Sequence, residues 1–512
     1  MTSRLAPLTA ALAWALCGCD SGASAHSGEP ADSLANATAP AETSAPATSV
    51  ASATAASATI SSSDVAASDA VASSASGPAV SASASTSAVA SASASASAPV
   101  DPLIITLPRT PLQYDFAANP QRFTAAFDGS LRFGIWLRML EFSRAMGAQY
   151  AKAPHFTFFV NACFYTTDPG DSDIGKAMSR NEVLVRRALT QQAINEGHDI
   201  GDHSMGHHDG RNFTREDWLA EFGRFHAVMD EALFEPVLDE AGVPVFPRFA
   251  PLEGAAARSA GAACETATDC DSGLCVAPTP TVHVCTEPCN AKRKCPTGMA
   301  CGGAMFQTDT DVCLPVPTKK IELDGKVLFD SRGDPNLKHP RLKRYRIIGF
   351  RAPYLAANNA LYSALAELGY RFDTSMSTGP EPPFFLGPPA TEDGTPRPKI
   401  LELALILHEG ALTMPMDYNY EKLHGTYERM VGDYENALVA SFAKGHLPFN
   451  VGHHFAPYNE GAYLTALEHT VEFALQGCPD SAGAARCAGA EVVSFRELES
   501  LIAGAARSSA PR

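Results

Sequence analysis

The chain is 512 residues long and sets 39 Lys and Arg against 56 Asp and Glu, a formal charge of −17, with 45% apolar residues. That length suits a few ordinary domains and that apolar share supplies a sizeable core, which excludes a wholly disordered chain. The acidic balance, with no basic stripe, argues against a nucleic-acid partner, because phosphate-gripping proteins displace counterions with clustered Lys and Arg.

Residues 1–19 carry Arg4, an apolar stretch over residues 5–16, and then Leu16-Cys17-Gly18-Cys19. The stretch is too short to span a bilayer and has the layout of a secretory signal. Leu, a small residue, Gly and Cys in that order resemble a bacterial lipobox. That resemblance implies a lipid on Cys19, a membrane partner through that lipid, and a protein exported to the periplasmic or surface side of the cell envelope. An ordinary signal peptide that happens to contain Cys is the alternative. Residues 20–100, mostly Ala and Ser, cannot bury enough apolar area to offset the entropy of ordering and are expected to be a disordered tether.

From residue 101 onward, short apolar runs alternate with amphipathic stretches. Strands are predicted near residues 123–127, 155–160, 347–350 and 449–451, and helices near 131–145, 181–196 and 358–368, the last ending at Gly369. Trp218, Phe222 and Phe225 fit the buried face of a further helix. This alternation predicts an α/β domain with functional groups at strand ends.

The domain is expected to run from 101 to 253 and to resume from 319 to 512, interrupted by a Cys-rich insert at 254–318. Eight of the 13 cysteines fall there: Cys264, Cys270, Cys275, Cys285, Cys289, Cys295, Cys301 and Cys313. In an exported chain they predict a disulfide-stapled minidomain with about 105 possible pairings, since no C-x2-C knuckles suggest zinc. The insert is expected to project from the surface and border the mouth of the site, so that its deletion spares metal binding. Cys478 and Cys487 are spaced to clip a short loop, and Cys163, in an apolar run, is expected to be a buried thiol.

Four segments concentrate chemistry. The first ends a strand at Phe127-Asp128-Gly129. The second is Glu196-Gly197-His198-Asp199-Ile200-Gly201-Asp202-His203-Ser204-Met205-Gly206-His207-His208. Its His203 and His207, four apart, face one side of a helical turn and can share a metal ion. The third is Gly349-Phe350-Arg351-Ala352-Pro353-Tyr354, and the fourth Asn450-Val451-Gly452-His453-His454. Asp417-Tyr418-Asn419-Tyr420 is a packed loop or a sugar-lining one.

Taken in order, these segments resemble the polysaccharide deacetylase family, the NodB-homology domain of carbohydrate esterase family four. Glu-Gly-His-x-Ile-Gly-x-His-Ser-x-x-His is the most specific part; residues 155–160 and Gly369-Tyr370-Arg371-Phe372-Asp373-Thr374-Ser375 are also similar to family segments. The resemblance implies an α/β fold, a distorted (β/α)7 barrel here carrying a disulfide-rich insert. It implies hydrolysis of N-acetyl groups on a cell-envelope or extracellular polysaccharide with a divalent metal, zinc being the expected ion. Carried over residue by residue, the ligands are Asp128, His203 and His207, and the acid is His453 with His454 as rival. Arg351 orients the base and Asp373 tunes the acid.

One departure matters. The family pattern has two adjacent Asp, a base and a metal ligand, where this chain has Asp128 followed by Gly129. Asp128 is assigned here as ligand, with Asp202 or Asp373 as a substitute base; the other alignment makes Asp128 the base and leaves Gly129 at a ligand position. A catalytically weak carbohydrate-binding lipoprotein on the same fold is the alternative function.

Overall fold

The computed structural model describes residues 105–302 and 310–508, all within the second of two units into which the chain divides, residues 94–512. The expected signal and tether, residues 1–100, lie outside the described residues.

The central sheet has a run of parallel strands: β1 (Arg122–Asp128), β2 (Thr157–Val160), β3 (Asp199–Asp202), β4 (Gly349–Phe350), β5 (Phe372–Asp373), β6 (Ile400–Glu402) and β7 (Phe449–His454). Their order across the sheet is β6-β5-β4-β3-β2-β1-β7, and antiparallel strands Phe384–Leu386 and Arg109–Pro111 extend it beyond β6. Crossover helices α1 (Phe133–Tyr150), α2 (Arg180–Asn195), α3 (Arg215–Met229), α4 (Asn359–Leu368), α5 (Tyr427–Ala443) and α6 (Ala462–Leu475) fall between or after them. Local chemistry sets several of their ends. Ser179 with Glu182 and Thr214 with Asp217 form capping boxes at α2 and α3, and Gly369, at φ 76°, ends α4.

Side chains alternate between the two faces along these strands. Phe127 packs on the helix side against Phe156, Phe158 and Phe455, whereas its neighbour Ala126 joins Phe159, Ile348, Phe372, Leu401 and Phe495 in a separate cluster on the other, inner face. β6 and β7 are not paired, so among the described residues the sheet does not close by backbone hydrogen bonds. At that seam the Asn450 amide donates to the carbonyls of Leu403 and Ala404 at 3.3 and 2.9 Å.

In the insert the disulfides are Cys264–Cys275, Cys270–Cys285, Cys289–Cys301 and Cys295–Cys313; Cys478–Cys487 closes a separate loop, and Cys163 is a buried free thiol. The insert does not simply project. Its own clusters are small and cystine-based, so Val276, Val284, Ala300, Val312 and Leu314 are buried in the main core instead. Arg144 and Glu141 of α1 hold both backbone groups of Ala277, Arg144 donating to its carbonyl at 2.8 Å and Glu141 accepting from its N–H at 2.6 Å.

Candidate active site

Alternation places Asp128, His203, Arg351 and His454 on the inner face at the carboxyl ends of adjacent parallel strands. Asp128 closes β1 and lies in register with His454 at the end of β7. Arg351 Nη1 donates to Asp128 Oδ1 at 2.9 Å with both side chains buried. The guanidinium lies 4.7 Å over the Phe159 ring, and its Nε donates to Thr374 Oγ1 at 2.8 Å. Burial works against charge on Asp128, but Arg351, aided by His203 and His454, brings its pKa below the ordinary carboxylate value.

The two histidines of the second segment come together. His203 Nδ1 lies 2.8 Å from the Arg351 carbonyl, which can only accept, so Nδ1 carries the proton and Nε2 keeps its lone pair. The His203 and His207 rings are 5.1 Å apart at 73°. Ser204 Oγ accepts the His207 N–H at 2.9 Å, and both residues take left-handed φ, 70° and 61°, in the tight loop between them. Burial holds both imidazoles neutral, lowering His203 and bringing His207 down to about 3. His207 Nδ1 and Asn161 Oδ1 are buried with no hydrogen-bond partner among the described residues.

The same alternation removes other expected residues from this face. Asp202 turns to the helix side and accepts from Tyr370 OH and from Ser204 N–H at 2.6 Å, its pKa pushed well up by burial. Asp373 also points to the helix side. It accepts from Tyr362 OH at 3.1 Å and from Ser375 N and Oγ, both at 2.9 Å, and Tyr362 OH also reaches Glu402 at 3.0 Å. The expected contact between Asp373 and a site histidine is therefore not formed. His453 is turned to the helices with 1% of its side chain exposed, its Nε2 3.3 Å from Tyr434 OH, and burial lowers its pKa to about 4.

His454 is the histidine that faces the cleft, with 24% of its side chain exposed. Its backbone N–H donates to Asp417 Oδ2 at 2.9 Å and its Nδ1 lies 2.6 Å from Asp417 Oδ1. Burial disfavours its charge, but the Asp417 carboxylate outweighs this and raises its pKa. Asp417 opens the short helix Asp417–Lys422; in the sequence only its aromatic neighbours hinted at a site. Tyr354, 60% exposed, stands 4.8 Å from the His207 ring, and Tyr418 stands 5.9 Å from His454.

No family model matches the chain, and no curated protein sequence matches it. Among solved structures, it is similar to a Mycobacterium smegmatis protein assigned as a polysaccharide deacetylase: 12% identity, 79% of this chain and 97% of that one covered, TM-score 0.37. It is also similar to the Xyl-CE4 domain of a multidomain xylanase from the hindgut metagenome of Trinervitermes trinervoides, at 10% identity, 75% and 92% coverage and TM-score 0.31. A T48 deacetylase with substrate matches at 20% identity over 24% of this chain and 49% of that one, TM-score 0.16.

Proposed function

We propose that the chain is a metal-dependent deacetylase that hydrolyses N-acetyl groups of a cell-envelope or extracellular polysaccharide. In this reading the parallel strands form a distorted barrel open at the β6–β7 seam, and lipid on Cys19 holds the protein to a membrane. The observation that carries it is the inner-face pairing of an ionised carboxylate, Asp128, with a protonatable imidazole, His454, beside the two neutral histidines of the His-Ser-x-x-His loop.

The donors fit a divalent cation, with zinc the ion best suited to two imidazoles. His203 has its Nδ1–H engaged by a carbonyl, the arrangement that orients a ligating imidazole, and His207 has a buried nitrogen without a partner. The cysteines do not compete: the described His, Cys, Asp or Glu triplets whose donor atoms all lie within 4.8 Å of one another are Cys264, Cys270, Cys285 and Cys289, Cys295, Cys313, all in disulfides. Asp128, His203 and His207 are not such a triplet. With Asp128 tied to Arg351, we assign Asp128 as the base rather than as a ligand.

A bound cation would supply Lewis acidity at the acetyl carbonyl and a lowered pKa for water. Asp128, kept ionised by Arg351, takes a proton from the attacking water. His454, kept protonated by Asp417, gives a proton to the departing amine nitrogen. The exposed Tyr354 ring offers a flat apolar face to a pyranose.

Acetate release from N-acetylglucosamine oligomers tests this, together with metal content, in wild type, Asp128→Asn and His454→Gln. Metal-bearing wild type should release acetate, and each variant should lose about 100-fold or more in kcat. A metal-loaded wild type that releases none from any N-acetyl glycan overturns the hydrolase in favour of a sugar-binding protein.

A further inference from the structure

Assigning Asp128 to Arg351 leaves two imidazoles as the only ligands named so far, fewer than a zinc site uses. The residue after Asp128 is Gly129, at φ 89°, which has no side chain to add. A Cβ built on Gly129 would stand 3.9 Å from Asn161 Oδ1.

Asn161 follows β2 directly, between the two strands that carry the site. On one side Gly129 N donates to Phe159 O at 2.9 Å, and on the other His203 N donates to Val160 O at 3.0 Å. The Asn161 amide cannot be turned at will. Its Nδ2 donates to the backbone carbonyl of His203, which has no proton to give and therefore fixes which amide atom is nitrogen. Oδ1 is consequently directed away from that carbonyl. The residue is fully buried, and Oδ1 has no hydrogen-bond partner among the described residues. An unpaired buried amide oxygen is costly to keep, and a native fold retains one where it has another use.

We infer that Asn161 Oδ1 is the oxygen ligand that completes the His203–His207 cation site, replacing the carboxylate that Gly129 cannot supply. Amide oxygens are among the ligands that protein sites offer divalent cations, and zinc takes oxygen donors beside imidazole nitrogens. All three donors are then neutral, so the ligand set leaves the cation its full double charge. The inference rests on the metal-dependent reading above.

The test is Zn2+ affinity of the full chain by equilibrium dialysis with metal analysis, alongside the visible spectrum of the Co2+-loaded protein, in wild type, Asn161→Ala and Asn161→Asp. Asn161→Ala should bind Zn2+ at least about 10-fold more weakly and change the Co2+ spectrum. Asn161→Asp keeps an oxygen but loses the bond to the His203 carbonyl, and it should bind Zn2+ as tightly as wild type or more so. Equal weakening in both variants would mean that Asn161 acts only through His203 and would overturn the inference. So would Asn161→Ala with wild-type affinity and spectrum, whatever happens to its metal-free melting temperature. Failure of the parent reading shows separately, as a wild type that binds no metal.

Discussion

At the scale of single residues, the site depends on buried charges held in place by their neighbours. Asp417 raises the pKa of His454, and Arg351 with the nearby histidines lowers that of Asp128. The kcat/KM profile should therefore rise at acid pH as Asp128 ionises and fall at alkaline pH as His454 loses its proton. Asp417→Asn removes the charge that raises His454, so the alkaline limb should move to lower pH; an unmoved limb would rule His454 out as the acid. Arg351→Met leaves Asp128 buried without its cation. It should cost about 3 to 5 kcal/mol in chemical denaturation and shift the acid limb upward. A third residue reports on stability alone. His198 accepts the Phe156 N–H through Nδ1 at 2.9 Å and stacks on that ring, and burial brings its pKa down to about 3. The unfolded imidazole takes a proton near its ordinary value, about 6.5, and the folded one does not until about pH 3. Stability from this group is thus complete above pH ~6.5 and falls by about 1.4 kcal/mol per unit as pH drops toward 3. In His198→Asn, whose amide oxygen can still accept the Phe156 N–H, urea melts across that range should show a shallower slope.

At the scale of elements, the Cys-rich insert and the loop that leaves Asp128 are built as one piece. α1 has no side-chain cap of its own at Arg132. Asp311, on insert strand Asp311–Pro315, supplies it, accepting from Phe133 N at 2.9 Å and Gly134 N at 2.8 Å. Arg186, fully buried on α2, donates to the carbonyls of Ser130, Leu131 and Phe164, and to Gly302 of the insert. Asp311→Ala should destabilise by about 1 to 2 kcal/mol, read from melting, because it strips two N–H groups of their acceptor. The sequence predicts that an excised insert leaves metal binding intact. The packing reverses that expectation: removing residues 254–318 uncovers the α1 and α2 faces, and the excised chain should be aggregated on gel filtration and hold no stoichiometric metal.

At the scale of the whole molecule, ten cysteines paired in five disulfides among the described residues match an oxidising compartment, and no described helix is long and apolar enough to cross a membrane. Because insert strands are buried in the main core, thiol reduction should lower the melting temperature and acetate release together. Activity that persists with the insert cysteines alkylated after reduction would show that Asp311 and Gly302 hold the Asp128 loop without their cystine frame.

Much of this was legible from residue order alone. Hydrophobic period, caps and turn glycines are local, so strands near 123–127 and 155–160 and helices from 181 and 358 could be read directly. The His203–His207 pair was legible as residues, but the helical turn expected to align them is absent: the segment is a loop in which Ser204 and His207 take left-handed φ. What the sequence could not decide was which face each chemical group occupies. In a strand, a shift of one residue reverses the side chain, and that separates His454 in the cleft from His453 in the core, and Arg351 from Asp373. Nor could it decide contacts made across long stretches of chain: Asp417 with His454, Arg351 with Asp128, Asp311 with α1, and Asn161 beside Gly129. Those depend on strand order and on how the insert packs, and only tertiary structure sets them.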